Sequence, residues 1–230
     1  LTLGGEIREN YQWIKNENWG DIPPDWKDDN GFIWHRIMIH ADLKFDRKIR
    51  VFAQLKNTAV VSRAGGPRPV TDKDDISLHQ AFVDYNFGGG DNRFTIRAGR
   101  QEHNFGWGKL VSVREGPNNR QNFDGVTLFH TNKFCNSRLF FANDVSVANG
   151  AFDNQPVKDK YIFGLYSNFT LRSVPSLLFE PYYIRSNTPA MVLAGKEGTD
   201  KRNSAGLRIA SRKQGILYEL EAVYQWGRFS

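Results

Sequence analysis

Charged residues recur at alternate positions along this 230-residue chain, opposite apolar ones. Arg8, Arg36, Lys44, Arg50, Lys56, Arg97, Lys160 and Arg208 share that parity with Glu6, Asp42, Asp84, Asp144, Glu219 and Glu221. A planar guanidinium can offer a carboxylate two parallel N–H bonds, so such a row suits reversible binding of anions. The acids in the row would neutralise part of the field and orient the arginines. An equally open reading is a charge ladder between strands that binds nothing in particular.

Covalent and metal chemistry find less support. His35, His40, His79, His103 and His130 are scattered, and none has metal-ligand spacing to a second His or Cys. There is no Gly-x-Ser-x-Gly elbow. Glu219 and Glu221 would lie on one strand face about 7 Å apart, within glycosidase range. Carboxylates two apart on a strand are too common to mark a site. The acid-rich segments Asp21 to Asp29 and Asp72 to Asp75 lack a Gly-centred calcium loop and read as solvated loops. The single cysteine, Cys135, excludes an internal disulfide and a cysteine metal cluster. No catalytic residue, metal or cofactor is expected.

The elements that would position the charged row are strands. Leu3, Ile7, Tyr11 and Trp13 oppose Glu6, Arg8, Asn10 and Gln12, with Glu9 out of pattern. Odd positions from Ile33 to Phe45 are apolar apart from His35, and a tight turn at Asp46–Lys48 leads to a second alternating run from Ile49 to Val61. Ala81, Val83, Tyr85 and Phe87 oppose Gln80, Phe82, Asp84 and Asn86. Phe94, Ile96 and Ala98 oppose Thr95, Arg97 and Gly99. Leu139, Phe141, Val145 and Val147 share one face, as do Tyr161, Phe163, Leu165 and Phe169. The facing of Leu177 to Ser186 stays open, and Ile216 to Trp226 closes the series. Segments 16–31, 62–75, 149–159 and 187–203 read as long loops. Tight turns are expected near Gly88–Asn92, Asn132–Ser137, Ser173–Pro175 and Lys213–Gly215.

Long and short connections alternate, as in an up-and-down barrel. The expected fold is therefore all-β, a transmembrane antiparallel β-barrel, with residues 1–230 forming one barrel domain. A soluble sandwich would also alternate. Against it, apolar faces end in aromatic pairs (Tyr11 and Trp13, Tyr85 and Phe87, Tyr224 and Trp226) and the opposite face is charged strand after strand. About eleven strands are counted. The last has no closing partner, and an open edge in lipid leaves backbone groups unpaired. The chain is thus expected to be the N-terminal half or more of a longer barrel. No run of about 18 apolar residues is present for a membrane helix, nor an N-terminal signal, so an exported protein would have lost its signal. The net charge of +6 is spread through the strands, not gathered on a helical face. Nucleic acid is not an expected partner.

One stretch is more specific. Gly99 to Glu102 (GRQE), Gly106 to Leu110 (GWGKL), Arg114 to Asn118 (REGPN) and Asn122 to Val126 (NFDGV) stand in an order that resembles the alginate-export family of outer-membrane barrels. Gly5 to Arg8 resembles the family's opening strand. The resemblance implies an 18-stranded monomeric barrel in the bacterial outer membrane, with a basic lumen that passes an anionic polysaccharide and with possible periplasmic secretion partners. Under it, the pathway residues would be Arg8, Arg36, Arg50, Lys56, Arg97, Arg100, Arg114, Arg120 and Arg208. The pathway acids would be Glu6, Asp84, Glu102, Glu115, Asp124 and Glu219. Arg100 falls on the apolar parity, so it would sit above the membrane or follow a bulge at Gly99. The segment holding Arg114 and Arg120 would either constrict the lumen or form an ordinary outer loop tied by ion pairs. Two other functions stay open: a porin for small anions, and a barrel plugged by its loops.

Overall fold

The computed structural model describes residues 1–17, 29–170, 176–213 and 216–230. They form eleven strands: β1 (Thr2–Ile14), β2 (Asn30–Phe45), β3 (Ile49–Val61), β4 (Asp74–Gly89), β5 (Asn92–Gln101), β6 (Phe123–Thr131), β7 (Cys135–Ser146), β8 (Gln155–Thr170), β9 (Leu177–Leu193), β10 (Lys196–Lys213) and β11 (Ile216–Phe229). No helix occurs among the described residues. All eleven strands lie in one sheet in sequence order, and each neighbour pair is antiparallel. β1 and β11 are not paired with each other.

Period-two patterning gives the sheet two unlike faces. On β2, Phe32, Trp34, Arg36 and Met38 are buried while Ile33, Ile37 and Ile39 are exposed. The same inversion runs along the sheet: Val83, Tyr85, Ile96, Val126, Leu139, Phe141, Phe163, Leu165, Leu207 and Leu220 all stand exposed on the outer face. Aromatic rings gather at both ends of that face. Tyr85, Phe87, Phe94 and His130 follow one another at 6.0, 5.3 and 4.7 Å near the short turns. Phe141 and Tyr161, at 5.5 Å, and Tyr224 and Trp226, at 5.4 Å, lie toward the long connections.

The sheet is strongly curled. Residues 102–122, between β5 and β6, reach Arg8 of β1 through Glu115 and Glu221 of β11 through Lys109. The chain from Lys109 to Glu115 can extend about 21 Å, whereas a flat sheet would hold β1 and β11 about 48 Å apart. The side chains at the two ends do not make up that difference. The wall therefore curves around this segment and presents the buried face to it.

Several expectations change. The supposed loop 187–203 is a β-hairpin, with Ala194 and Gly195 at positive φ in a two-residue turn between β9 and β10. Its residues are mixed in polarity and gave no alternation to read. Loop 149–159 is shortened by β8, which begins at Gln155, and β4 begins at Asp74. Val145 and Val147 were expected on the outer face but are buried, because a register shift between Asn143 and Val145 reverses the parity. Glu180, Tyr182 and Ile184 settle the facing of β9, all three buried. The turns at Ser173–Pro175 and Gln214–Gly215, and most of segment Asp21 to Asp29, lie outside the described residues.

Glu9 and His35, the two breaks in the alternation, are register partners and pair with each other. At Gly99 the backbone adopts φ 127°, and a Cβ would lie 2.2 Å from the Ala81 carbonyl oxygen. Gly99→Ala is therefore expected to destabilise the wall by about 2–3 kcal/mol, read as a lower midpoint in denaturant titration of the inserted protein.

Candidate functional site

The site is assembled by the segment 102–122, which lies against the inner face and is fixed at both sides. On one side Asn118 Nδ2 lies 3.2, 3.0 and 2.9 Å from the carbonyl oxygens of His35, Ala59 and Asp72. Asn119 accepts from Thr58 Oγ1 at 2.8 Å and donates to the Lys73 carbonyl at 3.1 Å. These amides tie the segment to backbone carbonyls of β2, of β3 and of the two residues that precede β4. On the other side Phe105 stacks on Phe140 at 4.8 Å and on Tyr166 at 5.0 Å, with Tyr182 next in the row. Gly106 lies so close to the wall that a Cβ would meet Tyr166 Oη at 3.0 Å and Arg208 Cδ at 3.2 Å.

Between these anchors, six of the expected pathway residues converge. Arg36, fully buried, donates from Nε and Nη2 to Glu6 at 3.0 and 2.6 Å and also pairs with Glu115. Arg8 Nη1 donates to the Glu115 carbonyl at 2.9 Å and stands 3.9 Å from its carboxylate. Arg120 Nε lies 2.9 Å from Glu102 and 3.2 Å from Glu115, with Nη1 3.8 Å from Glu6. Glu102 in turn meets His79 Nε2 at 2.8 Å. Three guanidinium groups therefore share three carboxylates. Burial would push the Glu115 carboxyl up, but the Arg36 bond and the charges of Arg120, Arg36 and Arg8 outweigh it and hold it below the usual range.

Other expected residues form separate groups on the inner wall. Arg50 bridges Asp42, at 2.8 Å, and Asp84, at 3.2 Å, and Asp84 also binds Arg97 at 2.7 Å. The Arg97 guanidinium lies 3.7 Å from the centre of the Phe82 ring. Arg208 binds Glu219 at 2.8 Å and also pairs with Glu180. Lys56 is fully buried, 3.2 Å from the equally buried Asp74.

Three placements correct the sequence reading. Arg100 and Asp124 do not join the inner row. They are register partners on the outer parity, linked at 2.7 and 2.8 Å near the long connections. No register shift occurs at Gly99, so Arg100 keeps the face that its position dictates. Asp72 and Asp74, expected as solvated loop acids, are buried. Asp72 accepts from Trp34 Nε1 at 3.1 Å and pairs with Arg68 at 2.9 Å. Arg114 is on the same segment as Glu115 but is exposed, with no ion pair among the described residues.

Sequence reasoning missed Arg138, an exposed residue on the inner parity of β7. Its guanidinium lies 5.8 and 5.9 Å from the Phe129 and Phe105 rings and has no carboxylate partner among the described residues. Its position opposite Leu139 was a readable signal. That no carboxylate among the described residues pairs with it depends on the three-dimensional neighbours and was not. Lys109, Asn118 and Asn119 were missed too, although all but Asn119 fall within the quoted motifs.

Fold and site together define the wall of an up-and-down antiparallel β-barrel, with a loop held against its inner face by arginine–carboxylate pairs. The chain belongs to the alginate-export family, whose model matches residues 1–230. That is a family of polysaccharide-export channels, not of enzymes. No curated protein and no solved structure matches the chain.

Proposed function

We propose that this protein is an outer-membrane channel that passes an acidic polysaccharide by diffusion along a basic inner wall. The observation that carries the reading is the contrast between the faces: exposed aliphatic and aromatic residues outside, arginine–carboxylate groups and, without an ion pair among the described residues, Arg138 inside. An exposed apolar band of this extent suits lipid. On β8 Tyr161 and Phe169 are about 27 Å apart along the strand, which a tilt of about 40° projects to roughly 20 Å, a span that fits within the ~25 Å height of an outer-membrane apolar band. Inside, segment 102–122 narrows the path beside the Arg8, Arg36 and Arg120 group. Most cations there already have carboxylate partners, which keeps each site weak, and a polymer moves only if no single site traps it. The barrel is proposed to act as a monomer, with the short turns on the periplasmic side, where secretion partners would meet it.

Planar-bilayer recording tests this, with reversal potentials in a salt gradient and an oligouronate as blocker. Anion-selective current, blocked by the oligouronate, is expected. Arg138→Gln is expected to move the reversal potential toward the cation value and to shorten the block severalfold, because it removes a guanidinium that forms no ion pair among the described residues. Anion current without block would leave a small-solute porin. No current from folded, inserted protein would leave a plugged barrel and overturn the proposal.

A further inference from the structure

Between residues 108–121 and the inner faces of β7, β8 and β9 lies a cleft of about 360 Å³, lined by Lys109, Arg114, Lys160, Asp144, Gln121 and Ser186 among others. Asp144 lies near the end of β7, Lys160 in the first part of β8 and Ser186 past the middle of β9, so the cleft is on the long-connection side. It is off to the side of the Arg8, Arg36 and Arg120 group and shares none of its side chains.

Its charge is unbalanced. Lys160 pairs with Asp144, and Lys109 meets Glu221 at 2.9 Å. Arg114 has no carboxylate among the described residues. It also adopts φ 54°, a left-handed conformation that costs a non-glycine residue free energy. The Ser112 hydroxyl accepts its backbone N–H at 3.2 Å and helps to hold that conformation. The chain thus keeps a strained backbone and leaves its guanidinium open at the mouth of a cleft. Hydroxyl and amide groups supply the rest of the polar lining, beside the apolar Phe123, Val111 and Ile162.

We propose that this cleft is a binding site for one or two sugar residues carrying a carboxylate, a side site on the long-connection end that holds a uronate before or after it passes the narrow segment. Arg114 takes the carboxylate bidentately, Lys109 and Lys160 add charge, and Ser186 and Gln121 meet ring hydroxyls. The inference rests on the channel reading for its ligand class, and its test does not depend on current.

Isothermal titration of the full chain in detergent micelles with a disaccharide of two linked uronates is the experiment. One site is expected, with weaker binding of a neutral disaccharide. Arg114→Gln and Lys109→Gln are each expected to weaken the uronate about tenfold. Both side chains are exposed, so neither change unpacks the wall; circular dichroism verifies the fold. Absence of binding by the wild-type protein, or unchanged affinity in both variants, would overturn the cleft. A protein that binds through Arg114 yet passes no current supports the cleft while the channel reading falls. Current with block but no Arg114 dependence has the opposite meaning.

Discussion

Asp74→Ala is expected to cost about 3–5 kcal/mol of stability, the largest effect of any single change on the inner wall. Asp74 and Lys56 are both fully buried, and the carboxylate is held 3.2 Å from the ammonium. Asp74 Oδ2 also accepts from Ser77 Oγ at 2.7 Å and from Asn154 Nδ2 at 2.8 Å. Removing the acid leaves an ammonium without a counter-charge in a site closed to water, and it orphans two further donors. The change also detaches the β7–β8 connection, because Asn154 belongs to it. Denaturant titration of the reconstituted protein measures the loss.

The pair as a whole contributes far less than either half. Replacing both partners, Lys56→Met with Asp74→Leu, removes the charge and its solvation cost together, so the double change is expected to recover most of the loss. A double variant no more stable than Asp74→Ala would mean that Ser77 and Asn154, not the ion pair, carry the effect.

Much of this wall could be read from period two alone. The face of Arg8, Arg36, Arg50, Lys56, Arg97 and Arg208 follows from their parity, because a strand that separates lipid-like from polar surroundings leaves a side chain no third direction. Arg100 was placed correctly by the same rule and wrongly by the motif that contains it. What failed was whatever depended on a shift in register or on distant neighbours. A register shift against β8 beside Asp144 turned Val145 and Val147 inward. Asp72 looks like a loop acid until the connection folds Arg63 and Arg68 back onto it, and Asp74 until Lys56 is brought beside it from β3. The convergence of Glu115 on Arg8 and Arg36 spans 107 and 79 residues of sequence, and no local pattern encodes it.

The second large effect is a dependence on acid centred on His103. Its ring lies 5.4 Å from both Phe123 and Phe140 and 5.7 Å from Phe105, and its Nε2 is buried without a hydrogen-bond partner among the described residues. Burial, followed by the charges of Arg138 and Arg97, lowers its pKa from 6.5 to about 4. His103 is thus held neutral in the fold, while in the unfolded chain it takes up a proton near 6.5. Its contribution to stability is complete above about pH 6.5, falls as the pH drops, and is lost by about pH 4. The gap corresponds to about 3 kcal/mol. A protonated ring would gain some cation–π attraction from the three phenylalanines, but burial and two guanidinium charges oppose it. The segment 102–122 is anchored here through Phe105, so the loss should appear first as release of that segment. Limited proteolysis between pH 7 and pH 4 is expected to cut within it increasingly as the pH falls. His103→Leu keeps the packing without the titrating group, and its cleavage profile should be flat across the same range. An equally steep profile in the leucine variant would assign the acid sensitivity to the carboxylates that hold Arg36 and Arg120.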